Sequence, residues 1–193
     1  MSYIDNNQES KFQNGRRKMP TEPRRLLIVD DEPELLHILT DICKPLTPHI
    51  DVASDGYEAL AIFESRKADA VLSDIMMPRM TGIQLFVTIR QRGLEVPFIF
   101  LTGFSDQASI AKALQLGASD FLEKPFQEKK LLNYVNLALD LGAALNALET
   151  EVAFFSNQAT VPAESLREVH KARRELWKLK FSEEFDKIRM KTS

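Results

Sequence analysis

From Arg24 onwards, short apolar runs alternate with longer stretches in which apolar residues recur at helical spacing. Leu26 to Val29 is the first run, and Asp30, Asp31 and Glu32 follow it at once. Pro33 suits the first turn of a helix, which the pattern carries towards Leu46. A second strand is predicted at about Ile50–Ala53, with Ser54, Asp55 and Gly56 turning into a helix that carries Leu60, Ile62 and Phe63. The third strand, Ala70–Ser73, leads to a helix from about Gly82 to Arg92. The fourth, Pro97–Leu101, is almost continuously apolar, and Ile110, Ala113 and Leu114 mark the helix after it. The fifth is Asp120–Leu122, ending at Glu123, Lys124 and Pro125.

Five strands with intervening helices predict an α/β fold whose parallel sheet is covered on both faces. Right-handed crossovers make it a doubly wound, flavodoxin-like domain of strand order 2-1-3-4-5. In such sheets the ligand site lies beyond the carboxyl ends of the strands, where Asp30, Asp31, Asp74, Thr102 and Lys124 are all expected. Each has an ordinary reading of its own. Asp31 could cap a helix, Asp74 could form a turn, Thr102 could be a turn hydroxyl, and Lys124 could be a solvated charge before a proline. Their convergence at one sheet edge outweighs those readings.

In order along the chain, LLIVDDE, VLSDIMMPRMTG, IFLTG and FLEKPF resemble the motifs of a two-component receiver domain over about Arg25 to Leu141. The resemblance implies that Asp74 accepts a phosphoryl group from a sensor histidine kinase or phosphotransfer protein. It also implies that Asp30, Asp31, Asp74 and the backbone carbonyl of Met76 hold Mg²⁺ or Mn²⁺. The chemistry is coherent, because a carboxylate attacks an anionic phosphoryl donor poorly unless charge is neutralised, and Mg²⁺ favours oxygen ligands while keeping several waters. Lys124 would bridge a carboxylate at rest and a phosphoryl oxygen afterwards, and Thr102 would hydrogen-bond another, with the Gly103 N–H close by.

By the same resemblance, Thr102 and Phe121 form a switch: the hydroxyl moves inwards and the aromatic ring fills the space it leaves. Lys124-Pro125 matches the family's cis peptide. Met76 and Phe104 would flank the path of the hydrolytic water, and since neither can orient a water, a long-lived phosphoaspartate is expected. The chain would thus catalyse only its own phosphorylation and slow dephosphorylation. A haloacid-dehalogenase-like phosphatase would need a second Asp two residues after the nucleophile on the first strand, which Val29-Asp30-Asp31-Glu32 does not supply. A flavin carrier of this topology would need a hydroxyl- and glycine-rich loop where this chain has carboxylates.

Charge divides the chain. Residues 1–25 carry 6 Lys/Arg against 3 Asp/Glu and residues 161–193 carry 9 against 6, whereas residues 26–160 carry 10 against 19. An acidic middle suits a divalent-cation site better than a nucleic-acid surface. Residues 1–23 are polar and without apolar periodicity, which predicts a disordered tail. A single cysteine, Cys43, excludes an internal disulfide, and no run is apolar for long enough to span a bilayer. A cytoplasmic protein without membrane insertion is expected.

A receiver domain at 24–141 leaves a helical extension at 142–193. Tyr134, Ala138, Leu141, Leu145, Leu148, Val152 and Phe155 recur at alternating spacings of four and three, a coiled-coil-like seam on a helix that opens at Phe126 and continues to about residue 155. Gly142 is a weak point in it and a candidate hinge, costing about 1 kcal/mol relative to Ala. A linker at 156–162 leads to a second amphipathic helix at about 163–190, whose Lys/Arg read as a solvated face. The extension is too short for a catalytic output domain. Sequence alone therefore predicts a phosphorylation-controlled switch that works by protein association, with a homodimer and a downstream protein as partners and nucleic acid not expected. The alternative is a DNA-binding regulator that uses the basic C-terminal helix.

Overall fold

The computed structural model of the chain describes residues 24–103 and 120–158. The tail at 1–23, Phe104, the helix around Ile110–Leu114, most of the linker and the helix at 163–190 lie outside the described residues. Five strands, β1 (Arg25–Val29), β2 (His49–Ala53), β3 (Ala70–Asp74), β4 (Phe98–Thr102) and β5 (Asp120–Glu123), form one sheet of order β2-β1-β3-β4-β5. Every pairing is parallel. The described helices are α1 (Pro33–Cys43), α2 (Gly56–Ser65), α3 (Gly82–Gln91) and α4 (Glu128–Gln158).

Alternation along the central strands sorts their side chains into two cores. Leu27, Val29, Val71, Phe98 and Phe100 face one way, against Phe63 of α2 and Leu85, Phe86 and Ile89 of α3. Leu26, Ile28, Leu72, Ile99 and Leu101 face the other way, against Leu39 of α1 and Leu131, Tyr134, Val135 and Leu139 of α4. Because both faces are covered, all residues of β3 and β4 are buried, which accounts for their unbroken apolar runs. Phe86, Phe98 and Phe100 meet with ring centroids 4.8–5.8 Å apart, two of the three pairs edge-on.

Helix ends follow local chemistry. Asp55 caps α2 by accepting from the Tyr57 and Glu58 amides, and Thr81 with Gln84 forms a capping box on α3. α1 stops at Cys43 rather than at Leu46. Pro45 has no N–H to continue the ladder, and the Leu46 amide turns back to the Cys43 carbonyl.

α4 starts at Glu128, two residues after Phe126, and runs for 31 residues, about 46 Å. It follows β5 and so runs antiparallel to the strands, leaving the domain at their amino-terminal edge. The helix passes unbroken through Ser156 to Gln158, beyond the expected start of the linker. It also passes unbroken through Gly142, which is no hinge. The glycine is buried against the turn before β3, where a Cβ would collide with the Asp69 carbonyl. Around this contact the Asp69 carboxylate accepts from the Arg25 amide at 2.6 Å and from Asn146 Nδ2 at 2.7 Å. Arg24 reaches Asn136, Asp140 and the Leu46 carbonyl.

The apolar seam needs a related correction. Tyr134 and Ala138, its first two positions, are buried in the domain's own core, and Leu141 packs against the same cluster. Their four-three spacing reflects the stripe that α4 lays on the sheet, so these two positions are not open to a partner helix.

Candidate functional site

Four strands bring their carboxyl ends to one acidic pocket. Asp74, which sequence placed just after the third strand, is the last residue of β3 and is 9% exposed. Its Oδ1 accepts from the Ile75 amide at 2.8 Å. Behind it, Ser73 Oγ donates to the Asp74 carbonyl at 2.8 Å, and Gly82 lies so close to that carbonyl that a Cβ there would overlap it. The start of α3 therefore seats the end of β3, a close approach that only glycine allows.

From β1, Asp30 is fully buried and Asp31 is exposed. Asp30 Oδ1 accepts from the Glu32 amide at 3.0 Å, which turns the chain into α1. One carboxylate oxygen each from Asp30, Asp31 and Asp74 lie within 4.8 Å of one another. Lys124 enters from the end of β5 through a cis Lys124-Pro125 peptide. Its Nζ donates to Asp30 Oδ2 at 3.0 Å and pairs with Asp74 Oδ2 at 3.3 Å, while its amide holds the Thr102 carbonyl at 2.8 Å. The lysine thus spans the two buried carboxylates.

Burial and charge compete within the pocket. Burial pushes the Asp74 carboxyl above its usual range; Lys124 opposes the shift and Asp30 adds to it. Burial pulls Lys124 down, but its hydrogen bond to Asp30 and the charges of Asp74 and Asp30 outweigh that and hold the ammonium above its ordinary value. Three clustered carboxylates, two of them sharing one ammonium, match what a hard divalent cation requires, namely several oxygen donors with room for water on the exposed Asp31 side.

Thr102 is buried at the end of β4, and its Oγ1 donates to the Gly103 carbonyl at 2.9 Å. Phe121 is half-buried on β5 and packs against the core cluster that includes Phe100, its partner in the strand register. Since Thr102 lies two residues beyond Phe100 on β4, the hydroxyl and the ring share one sheet face. The Met76 side chain, two residues after Asp74, is 65% exposed. Phe104, named with it as a guard of water access, lies outside the described residues.

Sequence alone places Asp55 only in a turn and Arg79 only within VLSDIMMPRMTG. Asp55 is buried; its Oδ1 caps α2, while its Oδ2 has no hydrogen bond among the described residues and faces the Arg79 guanidinium as an ion pair. Arg79 sits in the β3–α3 loop at φ +66°, a backbone state no periodicity signals.

Among the described residues, no helix is long and apolar enough to cross a membrane. The family model described as the response regulator receiver domain matches residues 26–136. Transcriptional regulatory protein DltR of Streptococcus agalactiae is 35% identical over 113 residues, covering 58% of this chain and 50% of that protein. DNA-binding response regulator MtrA of Mycolicibacterium smegmatis is 35% identical over 121 residues, 63% of this chain and 53% of that one. The chain spans about half the length of these curated relatives. Among solved structures, the signal receiver domain of an HD domain-containing protein from Pseudomonas fluorescens superposes with a TM-score of 0.61 at 31% identity, covering 65% of this chain and 93% of that one. A response regulator receiver domain protein from Clostridium thermocellum gives 0.59 at 27% identity, covering 63% and 98%. With the family model covering more than half of its length, the chain belongs to the response regulator receiver domain family of two-component systems.

Proposed function

We propose that Asp74 takes a phosphoryl group from a histidine kinase or phosphotransfer protein, and that the transfer depends on Mg²⁺ or Mn²⁺ held by Asp30, Asp31, Asp74 and the Met76 carbonyl. The observation that carries this reading is Lys124 Nζ, 3.0 Å from Asp30 and 3.3 Å from Asp74 beside the three-carboxylate cluster. A bound divalent cation supplies charge neutralisation to the incoming phosphoryl oxygens. The chain's own residues do the rest. The Asp74 carboxylate attacks phosphorus, the bond from phosphorus to the donor histidine nitrogen breaks, and the donor ring, protonated on its other nitrogen, keeps that proton and leaves as a neutral imidazole. Lys124 exchanges its contact with Asp74 for one with a phosphoryl oxygen, and the Thr102 hydroxyl leaves the Gly103 carbonyl for another. Phe121, on the same face, responds to the space that is freed. Exposed, apolar Met76, with Phe104, would hinder a hydrolytic water without orienting one.

Incubation with a small acyl phosphate, followed by intact-mass measurement, tests the assignment. Labelling that needs Mg²⁺ and vanishes in Asp74→Asn is expected; labelling that survives the substitution rules Asp74 out.

The output is proposed to run through α4 and the residues after it, by association with a copy of the chain or a downstream protein. A second reading has a specific basis, since DltR and MtrA are named as transcriptional or DNA-binding regulators. Those names do not support the exclusion of nucleic acid drawn from the acidic middle of the chain. Fluorescence polarisation on duplex DNA separates the readings: salt-sensitive, sequence-preferring binding favours the regulator.

A further inference from the structure

The loop between β3 and α3 supplies one wall of the acidic pocket, and its anchoring is unusually specific. Its base is closed by the Gly82 amide donating to the Ile75 carbonyl at 3.0 Å. Met77 is buried in the core. At the apex, the Met80 side chain lies against Gly56, where a Cβ would collide with it, and Arg79 reaches the buried Oδ2 of Asp55. The two apex contacts land on the N-cap and the first residue of α2. That end of α2 is tied to the other wall, because the Asp30 amide donates at 3.2 Å to the carbonyl of Ala53, two residues before Asp55.

Asp55 therefore stands between the strand end that carries Asp30 and Asp31 and the loop that carries Met76. Its two oxygens have separate duties: Oδ1 holds the α2 amides at 2.7 and 3.0 Å, and Oδ2, with no hydrogen bond among the described residues, meets the guanidinium. A buried carboxylate oxygen without a counter-charge is costly, so the pair is more than a decorative surface contact even though Arg79 is 66% exposed. Arg79 takes left-handed backbone at the loop apex, and its guanidinium reaches back to the start of α2.

We infer that Asp55 and Arg79 are positioning residues that clamp the β3–α3 loop onto α2 and so hold the Met76 carbonyl at the distance from Asp30, Asp31 and Asp74 that a divalent cation needs. The inference rests on the cation site proposed above. Residues that orient metal ligands without touching the metal commonly govern affinity for it.

The test is a calorimetric titration of the full chain with MgCl₂, on wild type, Arg79→Ala, Asp55→Asn and the double variant. Asp55→Asn is the discriminating change, since asparagine caps a helix as well as aspartate does and only the charge partner is lost. Each single variant should bind Mg²⁺ roughly tenfold more weakly, the low end of the effect seen when support for a metal ligand is lost. The double variant should be no weaker than either, because both remove one interaction. Arg79→Lys, which keeps the charge, should recover part of the loss. Binding within about twofold of wild type in both single variants overturns the clamp, as do losses that add in the double variant. If wild type itself takes up no Mg²⁺, the cation site fails instead, and the two failures are told apart by the wild-type titration alone.

Discussion

Gly142 of α4 rests against the backbone carbonyl of Asp69, at the edge of the sheet opposite the acidic pocket. Helix propensity and packing disagree about this position, and the sign of a substitution decides between them. Replacing an exposed helical glycine by alanine would stabilise the chain by about 1 kcal/mol. Here the new methyl group meets backbone, which cannot swing aside, so Gly142→Ala should instead destabilise by about 1–3 kcal/mol, the usual cost of overpacking. Urea denaturation of the full chain measures it, and a gain in stability would show that the helix can lift off Asp69 at little expense.

What sequence could and could not show follows from the range of each interaction. LLIVDDE and IFLTG are legible because burial on both sheet faces demands uninterrupted apolar strands, and the topology then delivers whatever follows them to one edge. The Asp30–Lys124 pair, 94 residues apart, became visible only through that topology. Gly142 was misread because periodicity describes which face of a helix is apolar and is silent about how near a backbone comes. Tyr134 and Ala138 read as part of a coiled-coil-like seam for the same reason: a stripe buried on the chain's own sheet and one buried on another helix have the same spacing. Arg79 lay hidden because its contact depends on a positive φ and on a residue 24 positions earlier.

Asp74 gives a pH-dependent prediction. Its folded pKa lies above the unfolded value of 3.8, with burial as the main cause. Its contribution to stability is therefore whole below pH 3.8 and is lost as pH rises through the folded value, leaving the ionised group a net cost at pH 7. Asp74→Asn removes that cost, and Lys124 keeps its bond to Asp30. In chelator at pH 7 the variant should show a higher urea midpoint than wild type, with the gap narrowing as pH falls towards 3.8. A variant less stable than wild type at pH 7 would mean that the Lys124 contact outweighs burial.

Cys43, fully buried at the end of α1, behaves as a small apolar residue. Burial pushes its thiol from 9.0 up to about 12. In the native chain it should not react with a disulfide reagent at pH 8, and it should react at once in urea. The raised value also stabilises the fold below pH 9.0, and this contribution is lost as pH climbs towards 12. The slope is up to about 1.4 kcal/mol per pH unit. Cys43→Ala should lack that alkaline slope, whatever its effect at neutral pH. Rapid native labelling would place the thiol at a surface.

Self-association through α4 is expected to use the later seam positions, those past Asn146, which is itself bonded to Asp69. From there to Gln158 the helix advances about 18 Å, and Leu148, Val152 and Phe155 continue the four-three spacing in this stretch. The upstream positions cannot serve, because Tyr134 and Ala138 are already covered. Leu148→Glu with Val152→Glu should therefore convert a concentration-dependent dimer into a monomer in equilibrium sedimentation, with the thermal midpoint of the receiver domain unchanged. The rival arrangement has residues 163–190 folding back over the same stripe within one chain. In that case wild type is already monomeric at high micromolar concentration, phosphorylated or not, and the two glutamates lower the helical content of the extension without changing the mass of the particle.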